Sequence, residues 1–218
     1  MATSNFNPEA SPATTAGDGY VNRAGNEEAL ATIIAGAGTG NNDSGSTTLA
    51  RLRADDVAGT YDQCVRTSYS FDTSAIPDTD VISSAKLKLY GSEKTTNLGT
   101  TDIVIVESSP TDPSNLANGD YGNFGSTEFG SIAIASISTV AYNDFTLNAS
   151  GIATINKTGV TSFGALLRWD FGVSTTGLTW SSTDLTEVQF LTADNVTNLP
   201  ILEVVHAPAS TRRIFIIS

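Results

Sequence analysis

A chain of 218 residues with 23 acidic and 11 basic side chains carries a formal charge of −12, which opposes binding to a phosphate backbone, where affinity rests on clustered Lys and Arg. Only 16 % of the residues are charged while Gly, Ser, Thr and Asn abound, a composition suited to many short strands joined by turns and unsuited to long helices. The single cysteine, Cys64, excludes an intramolecular disulfide, the N-terminus lacks the basic start and apolar run of a secretion signal, and no window approaches the roughly 20 apolar residues that span a bilayer.

Residues 1–16 are mostly Ala, Thr, Ser, Asn and Pro with little to bury, so they read as an extended arm or a flexible leader, whose ordering would need a partner. A short strand is expected at Tyr20-Val21. Residues 27–34 suit either a brief helix or a strand before the Gly-rich loop 35–45. Residues 47–53 alternate as a strand.

The stretch 66–90 is the most telling. Tyr69 and Phe71 are two apart with Ser68 and Ser70 on the other face, the period of a half-buried strand. Ile76-Pro77-Asp78 fixes a backbone angle and removes a donor, which stops it. Ala85, Leu87 and Leu89 then alternate with Lys86 and Lys88, giving one face to a core and one to water.

Residues 102–106 form an unbroken branched run, as in a central strand covered on both sides. The interval 108–130 is a long connection whose Tyr121, Phe124 and Phe129 should pin it down. Strands follow at 132–137 and 143–147. Ile152 and Ile155, three apart before Gly159, predict one or two helical turns over 149–157. Strands at 163–170, 187–192 and 200–206 complete a set of about nine or ten, the number and spacing of a sandwich. The expected architecture is therefore all-β: an antiparallel β-sandwich of jelly-roll type with one short helix, spanning 17–206 between the arm 1–16 and an apolar tail 207–218.

Across 17–206 the pattern resembles the DNRLRE-type β-sandwich domains of microbial surface and secreted proteins. The likeness is carried by Asp18-Gly19-Tyr20-Val21, by the Gly/Asn-rich loop leading to Leu49, and by Arg66 with Phe71-Asp72-Thr73-Ser74-Ala75-Ile76-Pro77. Ala85-Lys86-Leu87-Lys88-Leu89-Tyr90 and the closing Pro200-Ile201-Leu202-Glu203-Val204 complete it. The segments 120–130 (DYGNFGSTEFG) and 142–148 (YNDFTLN) are similar to a variant among uncharacterised phage virion proteins. The resemblance implies a jelly-roll module for adhesion, carbohydrate contact or structural display, without catalysis and without a transferable functional residue. The absence of a leader and of disulfides suits a protein made in a host cytosol and mounted on a particle.

Catalytic signals are sparse. His206 is the only histidine, expected at a strand end facing solvent, and no G-x-S-x-G elbow accompanies it. Cys64 reads as a small buried hydrophobe, and one His with one Cys cannot supply a zinc site. Glu107, Glu128, Glu187 and Glu203 are available for acid–base work, but sequence spacing does not test their separation, and solvent-facing strand positions explain them. Asp55, Asp56, Asp78, Asp80 and Asp170 offer hard oxygen ligands, yet turn chemistry accounts for Asp at such places. No cofactor and no metal is expected.

Sugar binding needs aromatic platforms. The candidates are Trp180, Tyr121 and Phe124, with burial and exposure of Trp180 both open and Trp169 assigned to the core. At the far end, Arg212 and Arg213 precede Ile214, Phe215, Ile216 and Ile217, an apolar run that something should cover. Either the tail folds back on its own domain as an edge strand, or it docks on a neighbouring subunit by strand addition.

The expectation is a non-enzymatic virion surface protein, a capsid decoration or fibre-type subunit that binds other virion subunits and forms a homo-oligomer. The alternative is a carbohydrate-binding or adhesion module of a microbial surface protein, at the cell surface or outside the cell. Neither nucleic acid nor membrane is an expected partner.

Overall fold

The computed structural model describes residues 1–209. Among the described residues strands account for 46 % and helical turns for 13 %, and every strand pairing there is antiparallel. In chain order they are β1 (Ala2–Phe6), β2 (Asp18–Glu28), β3 (Gly40–Asn42), β4 (Thr47–Ala54), β5 (Tyr61–Asp72), β6 (Asp80–Thr96), β7 (Asp102–Glu107), β8 (Gly130–Ala133), β9 (Tyr142–Thr146), β10 (Val160–Leu167), β11 (Leu185–Leu191) and β12 (Ile201–Pro208). Three short helices, α1 (Leu30–Ala35), α2 (Ala149–Ala153) and α3 (Arg168–Gly172), lie between them, with 3₁₀ turns at Asn118–Gly122, Ile134–Ser136 and Ala193–Asn195.

One layer runs β1-β12-β6-β9 and the other β11-β4-β5-β10-β7-β8, with β2 also paired to β5 and β3 to β2. The strand β6 belongs to both. Its residues 80–90 pair with β12 and β9, and residues 91–96 pair with β11. Such sheet-switching strands bend at a bulge or a glycine, and here the register slips opposite Gln189-Phe190, beside Gly91. A Cβ on Gly91 would sit 2.1 Å from the Ser138 carbonyl oxygen, so the close approach at this corner requires glycine.

The alternation of β6 places Ala85, Leu87 and Leu89 in the core. Lys86 and Lys88 point outward to Asp144 and Glu203 on the flanking strands. Phe145 of β9 meets Phe190 of β11 edge-on across the layers at 6.3 Å, and Phe129 meets Phe163 at 6.0 Å, an aromatic geometry that adds to the area it buries. The run 103–106 is covered on both sides, as its unbroken branched residues predict. Ile103 and Ile105 join the main core, while Val104 and Val106 pack with Leu166 in a second cluster beneath Phe124 and Phe171.

Several elements differ from the sequence reading. Residues 2–6 are a strand on the domain's own β12, in register Ala2↔His206 to Phe6↔Leu202, not an arm awaiting a partner. Their polar composition hid the pairing because an edge strand buries little. The interval 27–34 is both alternatives in turn, strand to Glu28 and helix from Leu30. Residues 163–170 do not continue as one strand: β10 ends at Leu167 and Arg168–Gly172 turn into α3, so Trp169 reaches the core from a helix. Likewise β8 stops at Ala133 and a 3₁₀ turn carries Ile134 inward. The helix expected over 149–157 is α2, and two more short helices, α1 and α3, stand beside it among the described residues. Of these α3 goes unread in sequence because five residues are too few to establish a period.

Candidate functional site

Two clefts among the described residues flank the long connection 108–130, whose shape starts at Asp120. This side chain is 2 % exposed. Its Oδ1 accepts from the Thr111 N–H and hydroxyl and from Asn123 Nδ2, and its Oδ2 accepts from the Ala117 N–H at 2.9 Å. Burial opposes the charge, but these donors outweigh it and hold the carboxyl below its ordinary value. The loop is thereby folded around one carboxylate. Tyr121 and Phe129 are buried, and Tyr121 donates its hydroxyl to Ile33 O at 2.8 Å.

Arg66 ties this loop to the sheet. From β5 it makes a bidentate pair with Asp170 of α3 at 2.8 and 2.6 Å, and it donates to Ile34 O at 2.8 Å and to Tyr121 O. Its guanidinium stacks 3.9 Å from the Tyr121 ring centroid and 5.8 Å from that of Phe124. Burial works against the arginine charge, yet Asp170 more than compensates and raises its proton affinity. Three segments besides its own strand converge on this planar cation, which suits the fixed fork of arginine and not the point charge of lysine.

Two shallow clefts flank the same loop. One of about 360 Å³ is lined by Ser108, Ser109, Asn156, Thr161 and Ser162, the other of about 430 Å³ by Gly125, Ser126, Thr127, Phe129 and Ser150. Glu107 and Thr154 line both, so an exposed carboxylate stands in a hydroxyl-rich groove. A smaller hollow of about 130 Å³ lies by Arg66, Phe124 and Phe171. In the two clefts the chemistry is hydrogen bonding to polar groups, with one charge, Glu107.

The aromatic candidates are not gathered into one platform. Tyr121 is fully buried under Arg66, which corrects its reading as a sugar-stacking residue: it has no free face. Phe124 is half-buried, its ring laid over Gly164, where a Cβ would come within 2.5 Å of it. Trp180 is half-buried against the main core and donates Nε1–H to Thr60 O at 2.9 Å. It lines neither cleft. Of the four glutamates, Glu128 pairs with Arg168, Glu187 with Arg51 and Glu203 with Lys88, leaving Glu107 at the groove. The segment Arg212, Arg213, Ile214, Phe215, Ile216 and Ile217 lies outside the described residues.

His206 is not at the surface. It is 5 % exposed, with Nδ1 2.7 Å from Asp80 Oδ2 and Nε2 2.9 Å from Ser4 Oγ. The strand-end position was right, but β1 covers the ring. Sequence could not bring these residues together, since Ser4 and His206 are joined only through the β1–β12 ladder. A Ser–His–Asp line has the connectivity of a hydrolase triad. A working one also needs N–H donors aimed into a space that admits an acyl group, and the clefts at 108–130 are lined by other residues. Here the line joins β1, β12 and β6.

Elsewhere, Cys64 is buried and burial pushes its thiol up to about 12, which leaves it inert at neutral pH. The carboxylates of Glu27, Asp55 and Asp56 approach within 4.8 Å at the surface, a clustering that solvated acidic loops show without an ion. Asp170 and Asp80 are engaged by Arg66 and His206. No protein-family model and no curated protein matches this chain.

Proposed function

We propose that the protein is a non-enzymatic structural subunit of a virion surface, of capsid-decoration or fibre type, which joins neighbouring copies through the free edge of β1. The observation that carries this is the edge itself. Among the described residues β1 pairs with β12 alone, and its sequence Ala2-Thr3-Ser4-Asn5-Phe6 holds no charge and no proline. Edges that must stay single are blunted by lysine, proline or a bulge; an unblunted one is a template for strand addition. The virion setting rests on the sequence likeness at 120–130 and 142–148.

Light scattering after size exclusion tests the joining. Wild type should run as a defined oligomer, and Thr3→Lys/Asn5→Lys, which charges two exposed positions of β1, should run as a folded monomer. A variant of unchanged mass would refute the edge as the joint. A fluorophosphonate probe addresses the enzymatic possibility: labelling of Ser4 that vanishes in His206→Ala would contradict a passive role.

The second reading, a glycan-binding or adhesion module, is favoured by the hydroxyl-lined groove at Glu107 rather than by the aromatic residues. Retention on a polysaccharide resin that is lost in Glu107→Ala but kept in Trp180→Ala would support it.

A further inference from the structure

Asp18, at the start of β2, is 2 % exposed and accepts from one backbone donor, the Ala193 N–H, at 3.0 Å to Oδ2 and 3.3 Å to Oδ1. Asp194, in the 3₁₀ turn between β11 and β12, takes the Ser11 N–H on Oδ1 at 2.8 Å, while its Oδ2 is enclosed without a partner. Its charge acts on Asp18. Tyr69 of β5 is fully buried and stands directly across the β2–β5 ladder from Asp18, so both side chains lie on one face of the sheet. The Tyr69 hydroxyl is the other enclosed polar atom without a partner among the described residues. The nearby Thr67 hydroxyl donates to Ala165 O and accepts from the Ala165 N–H.

The buried Asp18 and the half-buried Asp194, next in sequence to the Ala193 that bonds Asp18, thus meet at one place where, among the described residues, neither has an ion pair with Lys, Arg or His. Charge at such a place must be neutralised by a proton or a cation. One proton between the carboxyls would serve Asp194 Oδ2 and leave the Tyr69 hydroxyl orphaned. A single cation bound there would instead draw oxygens from all three residues, and an all-oxygen donor set with two carboxylates is that of a hard ion such as calcium. We propose that Asp18, Asp194 and Tyr69 form a buried site for one hard divalent cation of the calcium class, which would fasten the segment leading into β2 to the β11–β12 turn. Backbone carbonyls and water would complete its shell.

The full chain, stripped by chelator and held near pH 8, is titrated with calcium chloride in a calorimeter and melted with and without the metal. Expected are a single binding event and a raised melting temperature. Asp18→Asn and Asp194→Asn should each lower affinity by more than about tenfold, whereas Asp55→Asn at the surface acidic group leaves binding unchanged. Terbium luminescence excited through tyrosine gives a readout on folded protein should a carboxamide variant fold poorly: emission should appear with wild type and fall in Tyr69→Phe. Binding abolished by Asp55→Asn but kept in Asp18→Asn would overturn the site. So would calcium without effect on heat or melting, combined with an Asp18→Asn variant more stable than wild type, the signature of a shared proton.

Discussion

Arg66 shows how one residue type decides a local structure. A buried pair contributes little against an apolar substitute of equal volume, but removing one member strands the other charge. Arg66→Ala should therefore cost about 3–5 kcal/mol in urea unfolding. Arg66→Met combined with Asp170→Leu should cost less than either single change, and equal costs would show that the pair is incidental. Asp18 adds a pH dependence whose sign is fixed. Burial, then the neighbouring Asp194, pushes its carboxyl from 3.8 up to about 7, with Asp194 and Tyr69 the titratable groups facing it. The folded chain thus holds the proton more tightly than the unfolded one. Stability from this group is complete below the ordinary value and is lost as pH rises through the folded one, at a slope of at most about 1.4 kcal/mol per pH unit. Metal-free protein should lose stability from about pH 5 to pH 7.5, and Asp18→Asn should flatten that decline in urea titrations at the two values.

At this scale the sequence was partly legible. Trp169 and Cys64 are buried, as hydrophobicity ranks them. Tyr121 was misread because a tyrosine in a Gly-rich loop carries no mark of whether an arginine from a distant strand covers it. The Ser4–His206–Asp80 line and the Asp18–Asp194–Tyr69 group were invisible for the same reason: each joins residues that only strand pairing makes neighbours.

Among the elements, β6 was read well in one respect and missed in another. Its alternation named the buried leucines and the solvent-facing lysines, yet the period does not reveal that one strand serves two layers. Gly91 is the residue that permits it. Gly91→Val should destabilise by about 2 kcal/mol or more, because the added carbons meet a backbone oxygen that cannot yield without opening the corner; thermal unfolding checks it. The edge strand β1 rests on a shorter ladder and on His206. Ser4→Ala or His206→Ala should speed amide exchange at residues 2–6 while the amides of β5 and β10 stay protected, since low local stability belongs to elements with few buried contacts. Uniform deprotection of the whole chain would show instead that β1 is integral to the core.

For the whole molecule, the all-β class and antiparallel sandwich followed from composition, turn spacing and the 66–90 pattern, because those signals are local and repeated many times. Strand order did not follow, since β5 and β6 are consecutive in sequence yet enter different layers, and nothing in the turn 73–79 states which edge a strand will join. The same gap separates fold from role. A sandwich body hosts many functions, so attachment has to be argued from the uncharged edge of β1 and from the polar, shallow character of the groove at Glu107. Under the proposed attachment, the excess of acidic residues would keep copies apart at long range, while the edge would offer directional backbone bonds at contact.

Hydrogen exchange on wild-type protein, read residue by residue in dilute and in concentrated solution, bears most directly on joining through β1. Added protection on concentration should fall on the amides of residues 2–6 that do not face β12, and nowhere else with comparable size. Protection that is unchanged there, or that grows instead around Glu107 and the 108–130 loop, would contradict it.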